Sequence, residues 1–211
     1  MMNESFSLNP VHFFALSCDC LYLPHKEQGP SLMSHALPST QRLTREEQFA
    51  KIAMGWNEEG LALFIQVNQP ASTSFYPQIE QGDSVELFFD TRDLKSAGFN
   101  TRFCHHFFFL PQPIEGVTKG EKTHFRTEDR HPLCDPQMLY CQTQLKKNQY
   151  QMKIFIPTEC LYGYDPKQFD RLGLTYRINR HQGEPQHFVV VSQDYQIDQQ
   201  PSLWGSLKLV K

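Results

Sequence analysis

The chain has 211 residues, 39% of them hydrophobic, which is enough to bury one substantial core and nothing that forces a split into two. A formal net charge of −3, with Lys and Arg scattered rather than clustered, excludes the electrostatic footprint of a nucleic-acid or anionic-membrane binder. No apolar run approaches the ~20 residues that a bilayer-spanning helix needs. Seventeen Phe and eight Tyr favour strands, and fourteen Pro and eleven Gly supply turns, so the composition predicts an all-β domain with short connections.

Residues 1–24 carry two short extended candidates, 11–15 and 20–23, placed as edge strands and ended by Pro24. The apolar residues 11–16 have Glu4 before them and no Lys or Arg, which predicts no secretory signal. Cys18, Cys20, Cys104, Cys134, Cys141 and Cys160 are then expected as thiols of a reduced, cytoplasmic protein. Residues 25–48 are polar, contain Pro30 and Pro38, and read as a long surface loop.

Residues 49–56 and 61–67 flank Asn57-Glu58-Glu59-Gly60 and form a predicted β-hairpin. Residues 68–82 place Phe75 and Tyr76 in a loop between Pro70 and Pro77. The stretch 82–90, GDSVELFFD, follows. Val85, Leu87 and Phe89 alternate there with Ser84, Glu86 and Phe88, so the first set faces a core and the second the opposite face of a sheet. That arrangement sets Glu86 beside an exposed Phe88.

The aromatic run 102–110, RFCHHFFFL, is a strand bounded by Pro111 and paired with 82–90. Phe103, His105, Phe107 and Phe109 point inward, which leaves His106 on the face of Glu86. Residues 111–136 are a polar excursion with His124 and His131. A second hairpin joins 138–144 to 150–156, and Thr158 is an N-cap for one short helical turn at 159–162. Strands at 172–180, 186–192 and 203–210 complete the sheet. Leu172, Leu174, Tyr176 and Ile178 alternate with Gly173, Thr175, Arg177 and Asn179, which sends Arg177 and Asn179 away from the core. The pattern predicts an all-β, antiparallel β-sandwich of two packed sheets, jelly-roll or Ig-like, with one short helix. Residues 1–48 pack onto the sandwich as N-terminal strands and a long loop, and 49–211 form it, a single domain throughout.

Four blocks carry a resemblance: MGWNEEGL at 54–61, GDSVELFFD at 82–90, GLTYRIN at 173–179 and PSLWGSLKL at 201–209. Their order is similar to that of the family 9 carbohydrate-binding modules and the related DOMON-like sandwiches, over roughly residues 49–211. The resemblance implies a non-catalytic sandwich that binds sugars on one face, in that family by holding a terminal saccharide between two Trp rings. Glu86 stands where the family motif has an acidic residue of the sugar site. Glu80 and Asp198 occupy the positions of the two Trp, whereas Trp56 and Trp204 sit where packing uses them.

A saccharide site needs flat apolar faces for C–H stacking and planar polar groups for hydroxyls. Glu86, His106, Arg177, Asn179 and Arg180 supply the polar groups, and Tyr76, Phe88 and Tyr195 the rings. The plain alternative is a solvated sheet face with half-exposed aromatics. Cys104, His105, His106, His124, His131, Cys134 and Cys141 lack the paired spacing of zinc ligands, and His105 reads as a hydrogen-bonded core histidine, so no metal site is predicted. A haem on Met54 with His105 or His106 has no room in a Phe-rich core. Calcium, which related modules hold, has only Asp90-Thr91-Arg92-Asp93 as a candidate. There is no GxSxG, HExxH or phosphate-loop motif, and a Glu86–His106 pair without a polarising group does not make an enzyme. The expectation is non-catalytic binding of a saccharide or glycan, with no resident cofactor and neither nucleic acid nor membrane as partner. The alternative is a protein-interaction module that kept the fold, lost the Trp pair, and uses the loops at 25–48 and 111–136.

Overall fold

The computed structural model describes residues 16–24 and 29–211. Among the described residues eleven strands form one hydrogen-bonded sheet: β1 (Ser17–Tyr22), β2 (Ala50–Asn57), β3 (Gly60–Val67), β4 (Ser84–Asp90), β5 (Cys104–Ile114), β6 (Val117–Glu121), β7 (Tyr140–Lys146), β8 (Gln149–Pro157), β9 (Arg171–Asn179), β10 (Gln186–His187) and β11 (Gly205–Val210). The spatial order is β6-β5-β4-β9-β11-β1-β2-β3-β8-β7, with β10 on β9. The path folds over a single core, giving the expected sandwich as two halves of a nearly closed sheet. Alternation builds that core. Val85, Leu87, Phe89, Phe107, Phe109, Leu174 and Ile178 come from one half, and Ile52, Met54, Leu63, Ile65, Met152 and Ile154 from the other. Each such buried side chain contributes about 1.5–3 kcal/mol.

The predicted hairpins form in register, Asn57 with Gly60 and Lys146 with Gln149. Asn57 Oδ1 accepts the amide protons of Glu59 and Gly60. Gly60 has φ 148°, and a Cβ there would run into the carbonyl oxygen of Ile156, so the turn requires glycine. β4 pairs antiparallel with both β5 and β9, setting Glu86 opposite Phe108 on one side and Arg177 on the other.

Several expectations are corrected. β1 is no edge strand: it lies between β11 and β2, parallel to both. The predicted strand at 11–15 lies outside the described residues. β5 does not stop at Pro111 but runs to Ile114, its register with β6 shifting between Phe109 and Ile114, where a missing proline N–H costs no ladder bond. β6 lies inside the excursion read as irregular, joined to β5 by Glu115 and Gly116, both at positive φ as a tight hairpin turn requires. Only two residues of 186–192 pair as β10, although Phe188, Val189 and Val190 are buried. The loop at 29–48 holds a short α-helix, α1 (Gln41–Thr44), and the helical turn at 159–162 is a 3₁₀ turn at Thr158–Cys160. Cys134 and Cys160 are not thiols. They form a disulfide with Cα atoms 4.9 Å apart, tying the segment after β6 to the turn after β8.

Candidate functional site

The outer face of the β5-β4-β9 half holds the residues that the sequence singled out, but it is not a bare solvated surface. Phe88 is fully buried, correcting its expected exposure: its ring lies 4.1 Å from that of His106 and 5.9 Å from that of Trp204. Ile79, Phe108 and Leu110 form a second small apolar cluster on this half.

Glu86 is the centre of the face and is itself completely buried. Its Oε1 accepts Arg177 Nε at 2.7 Å, with Arg177 Nη2 also at 2.7 Å, and Asn179 Nδ2 at 2.7 Å. Its Oε2 lies 2.8 Å from His106 Nε2 and 3.9 Å from Lys122 Nζ. Asn179 Nδ2 is shared with Ser84 Oγ, which donates to the Ile79 carbonyl. Burial alone would raise the Glu86 carboxyl, but the hydrogen bond from His106 and the charge and hydrogen bonds of the Arg177 guanidinium outweigh it and hold the group well below the carboxylate range. Burial lowers His106 and, with the charges of Lys122 and Arg177, outweighs the hydrogen bond and charge of Glu86 that raise it, so the ring is neutral and gives its one proton to Glu86.

The carboxylate is therefore an anchor rather than a surface. Arg177 is the group that emerges, with a side chain 18% exposed, and Lys122 beside it is 38% exposed. The pair with Glu86 uses two of the five guanidinium N–H donors and leaves three directed elsewhere. Burial lowers Arg177, while the charges of Glu86, Asp198 and Glu80 raise it more. The Glu80 and Asp198 carboxylates are thus near enough to favour the charged guanidinium. Tyr76, 45% exposed, packs its ring 5.8 Å from that of Phe108, the cross-strand neighbour of Glu86.

The structure thus gathers Glu86, His106, Arg177 and Asn179, with Tyr76 at the margin. It does not bring in Arg180, which pairs with Glu47 at 3.0 Å, donates to the Glu184 carbonyl and lies over the Phe49 ring. Tyr195 packs against the core. Asp90 and Asp93, the calcium candidates, are engaged locally: Asp90 caps the amides of Arg92 and Leu94, and Asp93 holds Lys95 at 2.7 Å. Trp56 and Trp204 are buried packing residues, as their positions imply. Lys122 was missed because it directly follows β6, a strand inside the segment that the sequence reads as an irregular excursion.

A family model described as "Carbohydrate family 9 binding domain-like" matches residues 28–211. The chain belongs to that family. Among solved structures, the family 9 fold recurs in a carbohydrate binding module from Caldicellulosiruptor kristjanssonii in complex with glucose. Its TM-score is 0.65 at 17% identity, over 92% of this chain and 95% of that one. The same organism's family 9 module in complex with cellotriose gives 0.63 at 18% identity, over 92% and 93%. A putative carbohydrate-binding protein from Bacteroides uniformis gives 0.59 at 10% identity, over 92% and 98%. A search of curated proteins found no match. At these identities the likeness carries the family 9 fold, and the site rests on this chain's own residues.

Proposed function

We propose that this family 9 domain binds a saccharide, without acting chemically on it, on the outer face of β4, β5 and β9. The observation that carries the reading is the buried Glu86, whose two oxygens hold Arg177, Asn179 and His106 in fixed positions. A saturated carboxylate under a partly exposed guanidinium is a pre-organised donor set, which lowers the ordering cost of gripping hydroxyls. Tyr76 supplies an apolar ring at the edge, and Lys122 a second cation. Solved relatives in complex with cellotriose and glucose support the ligand class. Glu80 and Asp198 in place of two rings give a polar clamp, so recognition rests on hydrogen bonds and affinity is modest, with Kd on the order of millimolar.

A protein partner is the second reading, and one feature favours it. On the other half of the sheet, Phe64, Tyr140 and Phe155 line an outward depression with Lys153 and Gln142, and Tyr140 is 51% exposed.

Calorimetry with soluble saccharides that include glucose and cellotriose decides between them. Saturable heat in the wild type, weakened at least tenfold in a folded Arg177→Met variant, supports the sugar site. Absence of heat with every saccharide removes it and turns the search to a protein bound at the Phe64–Tyr140 face.

A further inference from the structure

A second buried carboxylate sits behind the first, on the core-facing side of β5. Glu121, at the end of β6, is buried, and its Oε1 lies 2.9 Å from His105 Nδ1, 2.9 Å from His131 Nε2 and 2.7 Å from Thr123 Oγ1. Its Oε2 accepts the amide of Cys134 at 2.7 Å. The donor atoms of His105, Glu121 and His131 lie within 4.8 Å of one another, all three residues buried. His131 Nδ1 faces the Arg102 carbonyl at 2.7 Å, which can only accept, so the ring's proton is there. The other ring nitrogen, Nε2, converges on the Glu121 carboxylate. A positive charge at that point, carried by a proton or by a metal ion, lets the ring nitrogen and the carboxylate oxygen approach to 2.9 Å.

The Glu86 centre meets the same need with Arg177, but among the described residues the ion-pair partners of Glu121 are these two histidines alone. A histidine that gives one ring N–H to a backbone carbonyl while its other nitrogen converges on a carboxylate is oriented as metal-ligating histidines are. His105 can do likewise: its Nε2 lies 3.5 Å from the Tyr162 carbonyl, ready to receive the proton that Nδ1 would release. His131 also forms part of the wall of an open depression of about 650 Å³, with Thr123 and Phe125, which provides a path from solvent.

We propose that His105, Glu121 and His131 form a binding site for a first-row divalent metal, with Zn²⁺ the expected ion. Two imidazoles and a carboxylate are the ligands of zinc and its neighbours rather than of calcium or magnesium. Tetrahedral arms of about 2.1 Å set donors roughly 3.4 Å apart, so the ion enters as Glu121 Oε1 gives up its 2.9 Å contacts and moves about half an ångström from each imidazole nitrogen. It links β5, β6 and the segment after β6, which the Cys134–Cys160 disulfide secures from the other end. The site is independent of the saccharide reading, since His105 and His106 leave opposite faces of β5.

The full chain, stripped with a chelator and dialysed against Zn²⁺ or Co²⁺, is expected to retain one equivalent through gel filtration. The Co²⁺ form should show visible d–d absorption. His131→Gln should weaken binding at least tenfold, and His124→Gln, an exposed histidine outside the cluster, should not. X-ray absorption on the wild-type Zn²⁺ form provides a test that no variant's folding can obscure, and imidazole scattering from two histidines is expected. Failure to retain an equivalent at tens of micromolar metal overturns the proposal. So does a spectrum without imidazole ligands, or unchanged binding by a folded His131→Gln.

Discussion

The two faces of the β4-β5-β6 half each bury a glutamate against a histidine of β5, and they balance the charge differently. Glu86 has Arg177, a cation at every accessible pH, with His106 and Asn179 supplying neutral hydrogen bonds. Glu121 has two imidazoles, a threonine hydroxyl and a backbone amide, and no guanidinium or ammonium within ion-pair distance among the described residues. The neighbouring side chains His105 and His106 serve the two centres because successive residues of a strand leave opposite faces. One centre is complete as the chain folds. Among the described residues, the other has only the two histidines to balance its carboxylate.

Breaking the first centre should have the largest effect. Glu86→Gln keeps the shape but leaves Arg177 unpaired beneath a mostly covered surface, and removing one partner of a buried ion pair costs about 3–5 kcal/mol. Since the Arg177 side chain is 18% exposed, the loss is expected near 3 kcal/mol, read as a shift in the urea midpoint with unchanged slope. The pH dependence of that difference sharpens the result. A carboxyl depressed in the folded state adds stability that is fully present above its unfolded value, about 4.5, and is withdrawn as the pH falls toward the folded value. The gap between wild type and Glu86→Gln should stay constant from pH 8 to about 5 and narrow only below about 4.5. A gap that closes between pH 7 and 5 would mean that a neutral-range titration, rather than Arg177, governs the centre.

The second centre is held by covalent chemistry as much as by its ladder. Cys134, whose amide caps Glu121, is bonded to Cys160 across a sequence separation of 26. Closing a loop of that length in the unfolded chain is worth roughly 3 kcal/mol. A Cys134→Ser, Cys160→Ser double variant should lower the urea midpoint accordingly and open the segment around His131 first. Hydrogen exchange is expected to show faster amides at 122–134 and unchanged protection in β4. Equal loss of protection in both places would show that the two centres unfold together.

The comparison also marks what the sequence could reveal. Period-two alternation in β4 and β9 was enough to place Glu86, His106, Arg177 and Asn179 on one face, because that relation needs only strand direction and pairing. What covers the face was not legible. Phe88 reads as exposed until Trp204, from the far end of the chain, closes over it. Phe188, Val189 and Val190 look like strand because they are apolar, yet they fill the core without a ladder: apolarity reports burial, not pairing. The central, parallel placement of β1 depends on partners distant in sequence that no local pattern specifies. Glu121 went unseen for the same reason, and His131 entered only as one of several scattered ligand candidates. Their spacing is long, and the turn that folds β6 back onto β5 brings Glu121 to His105. The pairing of Cys134 with Cys160 was one of many that six cysteines allow.

The smallest expected effect comes from an arginine near Arg177 in sequence that resembles it on paper. Arg180, just past the end of β9, also meets a glutamate, with Nη2 3.0 Å from Glu47 Oε2. The difference is on the acidic side: the Glu47 side chain is 65% exposed, whereas that of Glu86 is fully buried. Water solvates a freed Glu47 or Arg180 and cannot do the same for Glu86, so the cost of breaking the pair follows the burial of the carboxylate rather than the length of the bond. Glu47→Gln should therefore change stability by less than about 0.5 kcal/mol, and the difference should vanish in 0.5 M salt. Arg180 would keep its contacts with the Glu184 carbonyl and the Phe49 ring. A loss as large as that of Glu86→Gln would mean that the loop carrying Glu47 is part of the cooperative core, and that the outer face of β9 is fixed from both ends.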